Sequence, residues 1–147
     1  MVGNGKRGIA VVTGGAGFIG SHMVDLLLAE GFHVHVVDNF VGGHRSNLKH
    51  HADNPDLKIF EADIRDAGAM KPAFDGARFV YHFAGIGDIV PSIERPIDYM
   101  ATNAQGTVHV LECAREANVE KLVDAASSSC AGLADPPTRE RHPAQPH

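Results

Sequence analysis

Short runs rich in β-branched residues alternate, along most of the chain, with stretches whose apolar positions recur at helical spacing. Ile9 to Thr13 (IAVVT), His33 to Asp38 (HVHVVD), Leu57 to Asp63 (LKIFEAD), Arg78 to Ala84 (RFVYHFA) and Lys121 to Ser127 (KLVDAAS) predict five strands. Between the first two, Ile19, Met23, Leu26 and Leu27 fall at i, i+4, i+7 and i+8, and Gly31 follows where a helix would end. That spacing predicts a helix packed on a sheet. Thr107, Val110, Leu111, Ala114 and Ala117 repeat the pattern before the last strand, and a shorter helix is expected from Asp66 to Phe74. Strands alternating with helices imply right-handed crossovers, hence an α/β architecture with a doubly wound parallel sheet covered on both faces.

Composition narrows this picture only a little. At 147 residues, 44% hydrophobic and 21% charged, the chain can build one core. Its formal net charge of -5, with Lys and Arg scattered, gives no reason to expect nucleic acid as a partner. The longest apolar runs fall far short of the roughly 18 to 20 residues a membrane span needs. The opening MVGNGKRG lacks the apolar stretch of a secretion signal, so a cytoplasmic location is expected. Cys113 and Cys130 form no CxxC and read as reduced thiols. Of the ten histidines, His33 and His35 flank a strand pattern, His50 and His51 sit in a polar stretch, and none pairs at i, i+4 with a Glu as zinc-binding helices require. They read as surface or half-buried side chains, and no metal is expected. The last fourteen residues, Ala134 to His147, hold four of the eight prolines and no apolar period. The expected division is an incomplete dinucleotide-binding domain over 1–133 and a proline-rich loop or tail over 134–147.

The chemistry concentrates in VVTGGAGFIGSH, Val11 to His22, a glycine-rich turn between the first strand and the first helix. Unpaired backbone N–H groups and the helix dipole make such a junction an anion site, suited to a pyrophosphate. Gly14 would permit the tight turn, Gly17 the approach of phosphates to backbone, and Gly20 close packing of helix on strand. Asp38 ends the second strand 18 residues beyond Gly20, where a carboxylate can accept hydrogen bonds from an adenosine ribose. A mononucleotide phosphate loop is excluded, because Ser21 and His22 stand where a Lys and a Ser or Thr would be needed. The alternative is a merely structural turn. Asp38 also favours NAD over NADP, since it would repel a 2′-phosphate and Asn39 rather than an Arg follows it. Only His44 and Arg45 could argue otherwise. The expected fold is a Rossmann-type sheet of about five strands in the order 3-2-1-4-5.

The segments TGGAGFIGSH, VVDNF, FEADIRD, VYHFAG, PSIERP, TNAQGT and ASSSCAG resemble, in order and spacing, the extended short-chain dehydrogenases/reductases. Within them the resemblance is to the nucleotide-sugar epimerases and dehydratases typified by UDP-glucose 4-epimerase. It implies that Phe18 and Ile19 line the pyrophosphate, Asp38 and Asn39 hold the ribose, and Asp63 and Ile64 meet the adenine. Phe83, Ala84 and Gly85 would run beneath the ribose, with Asn103 supporting that loop. For Phe83 and Ile64 ordinary core packing is an equal reading. The resemblance further implies a UDP-sugar or other nucleotide-sugar substrate and a dimer interface on the helix after Asn103. From the residues themselves no nucleic-acid or membrane partner is expected, and self-association, as a homodimer, is expected through that helix face or through the exposed edge of the fifth strand, Lys121 to Ser127.

In that family a tyrosine removes a sugar hydroxyl proton, a serine or threonine orients the oxygen, and a lysine four residues after the tyrosine lowers its pKa. Ser127 aligns with the hydroxyl position, with Ser128 and Ser129 as neighbours; apart from the family, a triple serine reads as a solvated strand exit. The YxxxK pair is absent: Tyr81 and Tyr99 precede Ser127 and are followed at four residues by Gly85 and Asn103. Ala131 replaces a usual aromatic, and Asp124 places a charge inside the fifth strand pattern. The expectation is therefore the NAD-binding half of an epimerase, cut short and inactive alone. The alternatives are a dehydratase or decarboxylase fragment and a non-catalytic NAD-binding sensor or assembly module. Serines rather than an acidic pair after Ser127 favour epimerisation over dehydration.

Overall fold

Five strands, β1 (Ile9–Thr13), β2 (His33–Asp38), β3 (Leu57–Glu61), β4 (Ala77–His82) and β5 (Lys121–Asp124), pair in parallel in the order β3-β2-β1-β4-β5. They are seen in a computed structural model that describes residues 7–127 together with 139 and 141–143. Ser128, Ser129, Cys130, Ala131 and most of the proline-rich segment lie outside the described residues. The central position of β1 follows from its composition. Ala10, Val11, Val12 and Thr13 are fully buried, as a strand covered on both faces and both edges must be. Strand alternation then divides the core. Ala10, Val12, Val34 and Val36 pack with Val24 and Leu27 on one face. Val11, Val37 and Val80 pack with Met70, Phe74, Val110 and Ala114 on the other.

Three strands end earlier than their sequence patterns suggest: β3 at Glu61 rather than Asp63, β4 at His82 rather than Ala84, and β5 at Asp124 rather than Ser127. The cause lies in β1. Its pairing stops at Thr13, opposite Val37 and His82, where the glycine turn leaves the sheet. The outer ladders stop within one residue of the same level, Asp38 opposite Glu61 and His82 opposite Asp124. Beyond one last bond each, from Ala62 N–H to Asp38 O, Phe83 N–H to Thr13 O and Ala125 N–H to His82 O, the chain turns outward as loops above the carboxyl ends of the strands.

The first helix, α1 (Phe18–Ala29), forms as the pattern predicts, but its buried stripe is Gly20, Ser21, Val24 and Leu27. Ile19 and Leu26 point outward, more than half exposed, which corrects the face read from periodicity. Gly20 decides the orientation, since the turn presses so closely on it that no larger residue could occupy that line. Gly31 takes the left-handed conformation, φ +83, and the chain closes with Phe32 N–H donating to Leu27 O.

The predicted helix from Asp66 to Phe74 is a short α2 (Ala67–Met70), capped by the Asp66 side chain, that tightens into a 3-10 turn over Lys71–Phe74, where Pro72 removes a donor. Two further short helices, α3 (Ile89–Glu94) and α4 (Pro96–Tyr99), were not legible in the sequence. From Pro96 the chain stays helical through a π-helical stretch, Met100–Gly106, into α5 (Thr107–Glu116). The wider π turn breaks the 3.6-residue period, so only the α5 half has a readable apolar face. Even there Leu111 is 47% exposed, and the buried residues are Val110, Cys113 and Ala114. Among the described residues no helix is long and apolar enough to cross a membrane.

Candidate functional site

Gly14 sits at φ +68, and a Cβ there would lie 2.7 Å from Ala84 N and 2.8 Å from the Phe83 carbonyl carbon. A side chain is excluded on both counts. The turn therefore runs tight against the loop leaving β4, with Gly14 N–H bonded to Val37 O and Phe83 N–H to Thr13 O. Gly15 is equally constrained by the Val36 methyls at 2.9 Å. Gly17 is the N-cap of α1, in extended conformation, and a Cβ there would meet only Gly14 O at 3.2 Å. Its remaining side is open toward the N–H groups of the first helical turn, which have no partner within the helix. Gly20 is the opposite case: a Cβ would lie 2.1 Å from Gly14 O. Gly17 thus leaves space, and Gly20 seats the helix on the turn. Phe18 and Ile19 project outward, 80% and 59% exposed, so what they offer the junction is backbone rather than side chain.

Asp38, at the end of β2, is buried, and both carboxylate oxygens are engaged: Oδ2 accepts from Ala16 N–H at 2.9 Å and Oδ1 from Phe40 N–H at 2.8 Å. It therefore ties the glycine turn to the loop after β2. Each oxygen keeps acceptor capacity. Gly43 packs over it so closely that a Cβ would lie 2.9 Å from either oxygen. Of the two residues that could have favoured a 2′-phosphate, Arg45 is turned away from the cleft. Its guanidinium pairs with Glu61 and lies over the Phe40 ring, 4.0 Å from the centroid. His44 is held by its N–H on Ala16 O.

Asn39 Nδ2 donates to Asp63 Oδ2 at 2.9 Å, and Arg65 clasps the same carboxylate through Nε, Nη2 and its backbone N–H. The Arg65 hydrogen bonds hold the Asp63 carboxyl well below the usual carboxylate range, against the opposing effect of its partial burial. It is an ionised acceptor. Ile64 is buried in the core, and its side chain packs where a Cβ on Gly106 would intrude at 2.7 Å. The packing reading holds for this side chain, which leaves only its backbone for the cleft. Phe83 is likewise half-buried, packed beside the α1 face of the core, while also lining the cleft.

Asn103, in the π-helical stretch, clamps the loop after β4. Its Oδ1 accepts from Ile86 N–H at 2.9 Å and its Nδ2 donates to Ile86 O at 2.8 Å. Behind it runs a relay the sequence did not disclose, buried at Thr13 and His82 and exposed at its Asn103 end. Ala84 N–H donates to Thr13 Oγ1, which bonds His82 Nδ1; His82 Nε2 bonds Thr107 Oγ1, which donates to Asn103 O. Since the Thr107 hydroxyl proton is spent on Asn103, His82 donates through Nε2 and accepts at Nδ1. Burial pushes its imidazole below the ordinary value and favours this neutral form, with Asp124 as the opposing charge.

These elements enclose a cleft of about 550 Å³ above the carboxyl ends of the strands. Gly14, Gly17, Asp38, Asn39, Asp63, Ile64, Phe83, Ala84 and Gly85 line it, in the crevice where the neighbouring strands β1 and β4 send their connections to opposite faces of the sheet. Gly20, Phe18, Ile19 and Asn103 stand behind or beside this lining. Ser127 lies three residues past β5, exposed, and is not part of it. The structure adds residues the sequence reading missed: Gly43 over Asp38, and Arg95, Asp98, Tyr99 and Thr102 from the α4 and π region. Three of these, Arg95, Asp98 and Tyr99, fall within or just after the PSIERP motif, the one signal that could have found them.

Comparison with known proteins follows the same geometry. Residues 10–147 match the model of the NAD dependent epimerase/dehydratase family. UDP-glucose 4-epimerase 4 of Oryza sativa subsp. japonica is 35% identical over 151 aligned positions, covering 97% of this chain and 41% of that protein. The crystal structure of DesIV, a dTDP-glucose 4,6-dehydratase of Streptomyces venezuelae with NAD bound, superposes with a TM-score of 0.84 at 36% identity, over 94% of this chain and 45% of that one. UDP-glucose 4-epimerase of Bifidobacterium longum, in complex with NAD+ and UDP, gives a TM-score of 0.84 at 31% identity, over 93% and 42%. The chain spans less than half the length of each of these relatives. With the fold, the glycine turn and the match over residues 10–147 in agreement, the chain belongs to the NAD-dependent epimerase/dehydratase family.

Proposed function

We propose that the chain is the NAD-binding part of a nucleotide-sugar epimerase of the UDP-glucose 4-epimerase kind. The observation that carries this reading is the glycine turn: space at Gly17, none at Gly14 or Gly20, and a buried carboxylate, Asp38, beside it. A dinucleotide fits these residues, because the open side of Gly17 is a cradle that any side chain would fill. The first-turn amides of Phe18 and Ile19 would take the pyrophosphate, and Asp38 with Asn39 the ribose hydroxyls. Asp63 and the Ile64 backbone would meet the adenine, and Phe83, Ala84 and Gly85 would run beneath the ribose, held by Asn103. When bound, NAD supplies a reversible hydride acceptor for oxidation at a sugar carbon. Ser127 would orient the sugar hydroxyl, and serines rather than acids after it favour epimerisation over dehydration.

Nucleotide choice tests the site. NAD is expected to bind more tightly than NADP, and Asp38→Ala to weaken NAD binding by about 1.5 to 3 kcal/mol, the worth of hydrogen bonds to a charged group. Calorimetry with both nucleotides checks it; equal affinity for the two would overturn the ribose assignment.

A second reading, a binding module without chemistry, is favoured by the composition of these 147 residues, in which no Tyr is followed by Lys at the fourth position. In either case the chain by itself is expected to turn over no UDP-sugar with NAD present. Turnover by material free of any full-length homologue would mean another residue supplies the base.

Self-association belongs to the same proposal. Ile97, Met100, Val108 and Leu111 are exposed apolar side chains along the helical run from Pro96, and β5 is one of the two edge strands among the described residues, with Val123 40% exposed. Sedimentation at micromolar concentration is expected to show a dimer, and Val108→Glu combined with Leu111→Glu a monomer. A soluble monomer of the unaltered chain would refute it.

A further inference from the structure

On the outer side of α1, away from the cleft, three histidines gather around one carboxylate. Asp25 Oδ1 accepts from His50 Nε2 and from His51 Nε2, each at 2.7 Å. His22 Nδ1, one turn earlier on α1, lies 3.8 Å from Asp25 Oδ2. His50 and His51 belong to the 3-10 turn Arg45–His51, and their rings sit 4.1 Å apart at an angle of 44°. Neighbouring residues on a helical turn ordinarily diverge. Here both side chains reach back to the same oxygen, and the ligand atoms of Asp25, His50 and His51 lie within 4.8 Å of one another.

We propose that Asp25, His50 and His51, with His22 within reach as a fourth ligand, form a binding site for one divalent transition-metal ion of the class that prefers imidazole, such as Zn(II) or Cu(II). Two neutral imidazole nitrogens and a carboxylate suit those ions, whereas Mg(II) and Ca(II) take oxygen ligands. Zn–N and Zn–O bonds of about 2.0 to 2.2 Å set tetrahedral ligand atoms roughly 3.3 Å apart. The observed contacts must therefore open by about half an ångström as the ion takes the place of the bridging protons, and each ring, kept neutral with its proton on Nδ1, presents the Nε2 lone pair to the ion. The side chains can make that adjustment, since His22 and His50 are more than half exposed and Asp25 39% exposed. The same exposure is the path by which the ion enters.

The site would act as a staple. His44 N–H and Asn47 Nδ2 already bond Ala16 O, at 3.0 and 2.8 Å, which ties the turn over 45–51 to the glycine turn. An ion shared between that turn and α1 closes a second tie, with the cleft-lining residues Val41, Gly42 and Gly43 on the chain leading into it. Bound metal would then stabilise the folded chain by mass action.

The test uses the 147-residue chain without a polyhistidine tag, stripped by chelator and titrated with Zn(II) against a chromophoric competitor. One equivalent is expected to bind and to raise Tm, with the gain reversed by EDTA. The double variant His50→Ala, His51→Ala is expected to lose more than about 100-fold in affinity, beyond what an outer-sphere partner costs, with its circular dichroism unchanged. Should that variant fail to fold, Asp25→Asn and Cu(II) broadening of the native protein's NMR spectrum decide. Broadening centred on residues 22, 25, 50 and 51 supports the site. No binding, unchanged affinity in the variants, or broadening centred on His33 or His142 overturns it.

Discussion

Gly17→Val is expected to abolish nucleotide binding while leaving the fold intact. The backbone at Gly17, φ -75 and ψ 178, is one any residue adopts. A Cβ there would meet nothing within 4 Å except Gly14 O at 3.2 Å, a tight contact that a small shift relieves. The branched side chain then extends into the open space beside the N–H groups of the first turn of α1, where a pyrophosphate would sit. It displaces the ligand and screens the dipole together. Calorimetry should show NAD affinity reduced by more than about 100-fold, roughly 2.7 kcal/mol, with far-UV circular dichroism preserved. Binding at native strength would return this glycine to a purely structural role.

Gly20→Ala, three residues on, is expected to do the reverse and destabilise the fold itself. On intrinsic propensity alone, alanine in a helix should gain about 1 kcal/mol over glycine. Against this stands a Cβ placed 2.1 Å from Gly14 O, 2.8 Å from Gly14 C and 2.8 Å from Gly15 Cα. All three are backbone atoms, and none can rotate aside. Either α1 lifts from the sheet, loosening Val24 and Leu27 against Val12 and Val36, or the turn with φ +68 at Gly14 deforms. Overpacking of this kind costs about 3 kcal/mol or more. The penalty outweighs the propensity gain, and Tm should fall by at least about 5 °C. A thermal melt checks it: an unchanged or raised Tm would mean that α1 is not seated on the turn. The two variants together separate the glycine that admits a ligand from the glycine that builds the junction.

How far the site was legible depended on the range of the interaction involved. Gly14 and Gly20 were readable as the tight turn and the close helix contact because strand, turn and helix follow one another directly in the chain. Asp38 was readable as a strand-end carboxylate, but not as the residue that clamps Ala16 N–H and Phe40 N–H. Those partners lie on separate loops. Arg45 could be named from sequence as a threat to NAD selectivity, and only its pairing with Glu61 across the β2–β3 connection takes it out of the cleft. His50 and His51 read as two polar residues in a loop. Their convergence on Asp25 depends on how a 3-10 turn lies against a helix some 25 positions earlier.

The sequence by itself determined the parallel sheet, its strand order, the glycine turn and the acidic residue beside it. Each is encoded by residues adjacent in the chain or by an alternation that permits few topologies. Only the tertiary structure decided which face of α1 is buried, where the strands stop, and how Thr13, His82, Thr107 and Asn103 join into one relay. In those cases the deciding contact is tertiary: the backbone of the glycine turn pressing on Gly20 selects the helix face, and the end of β1 at Thr13 marks the level at which the sheet's ladders stop. Local periodicity carries no record of such contacts, because close packing resolves them only when the layers meet.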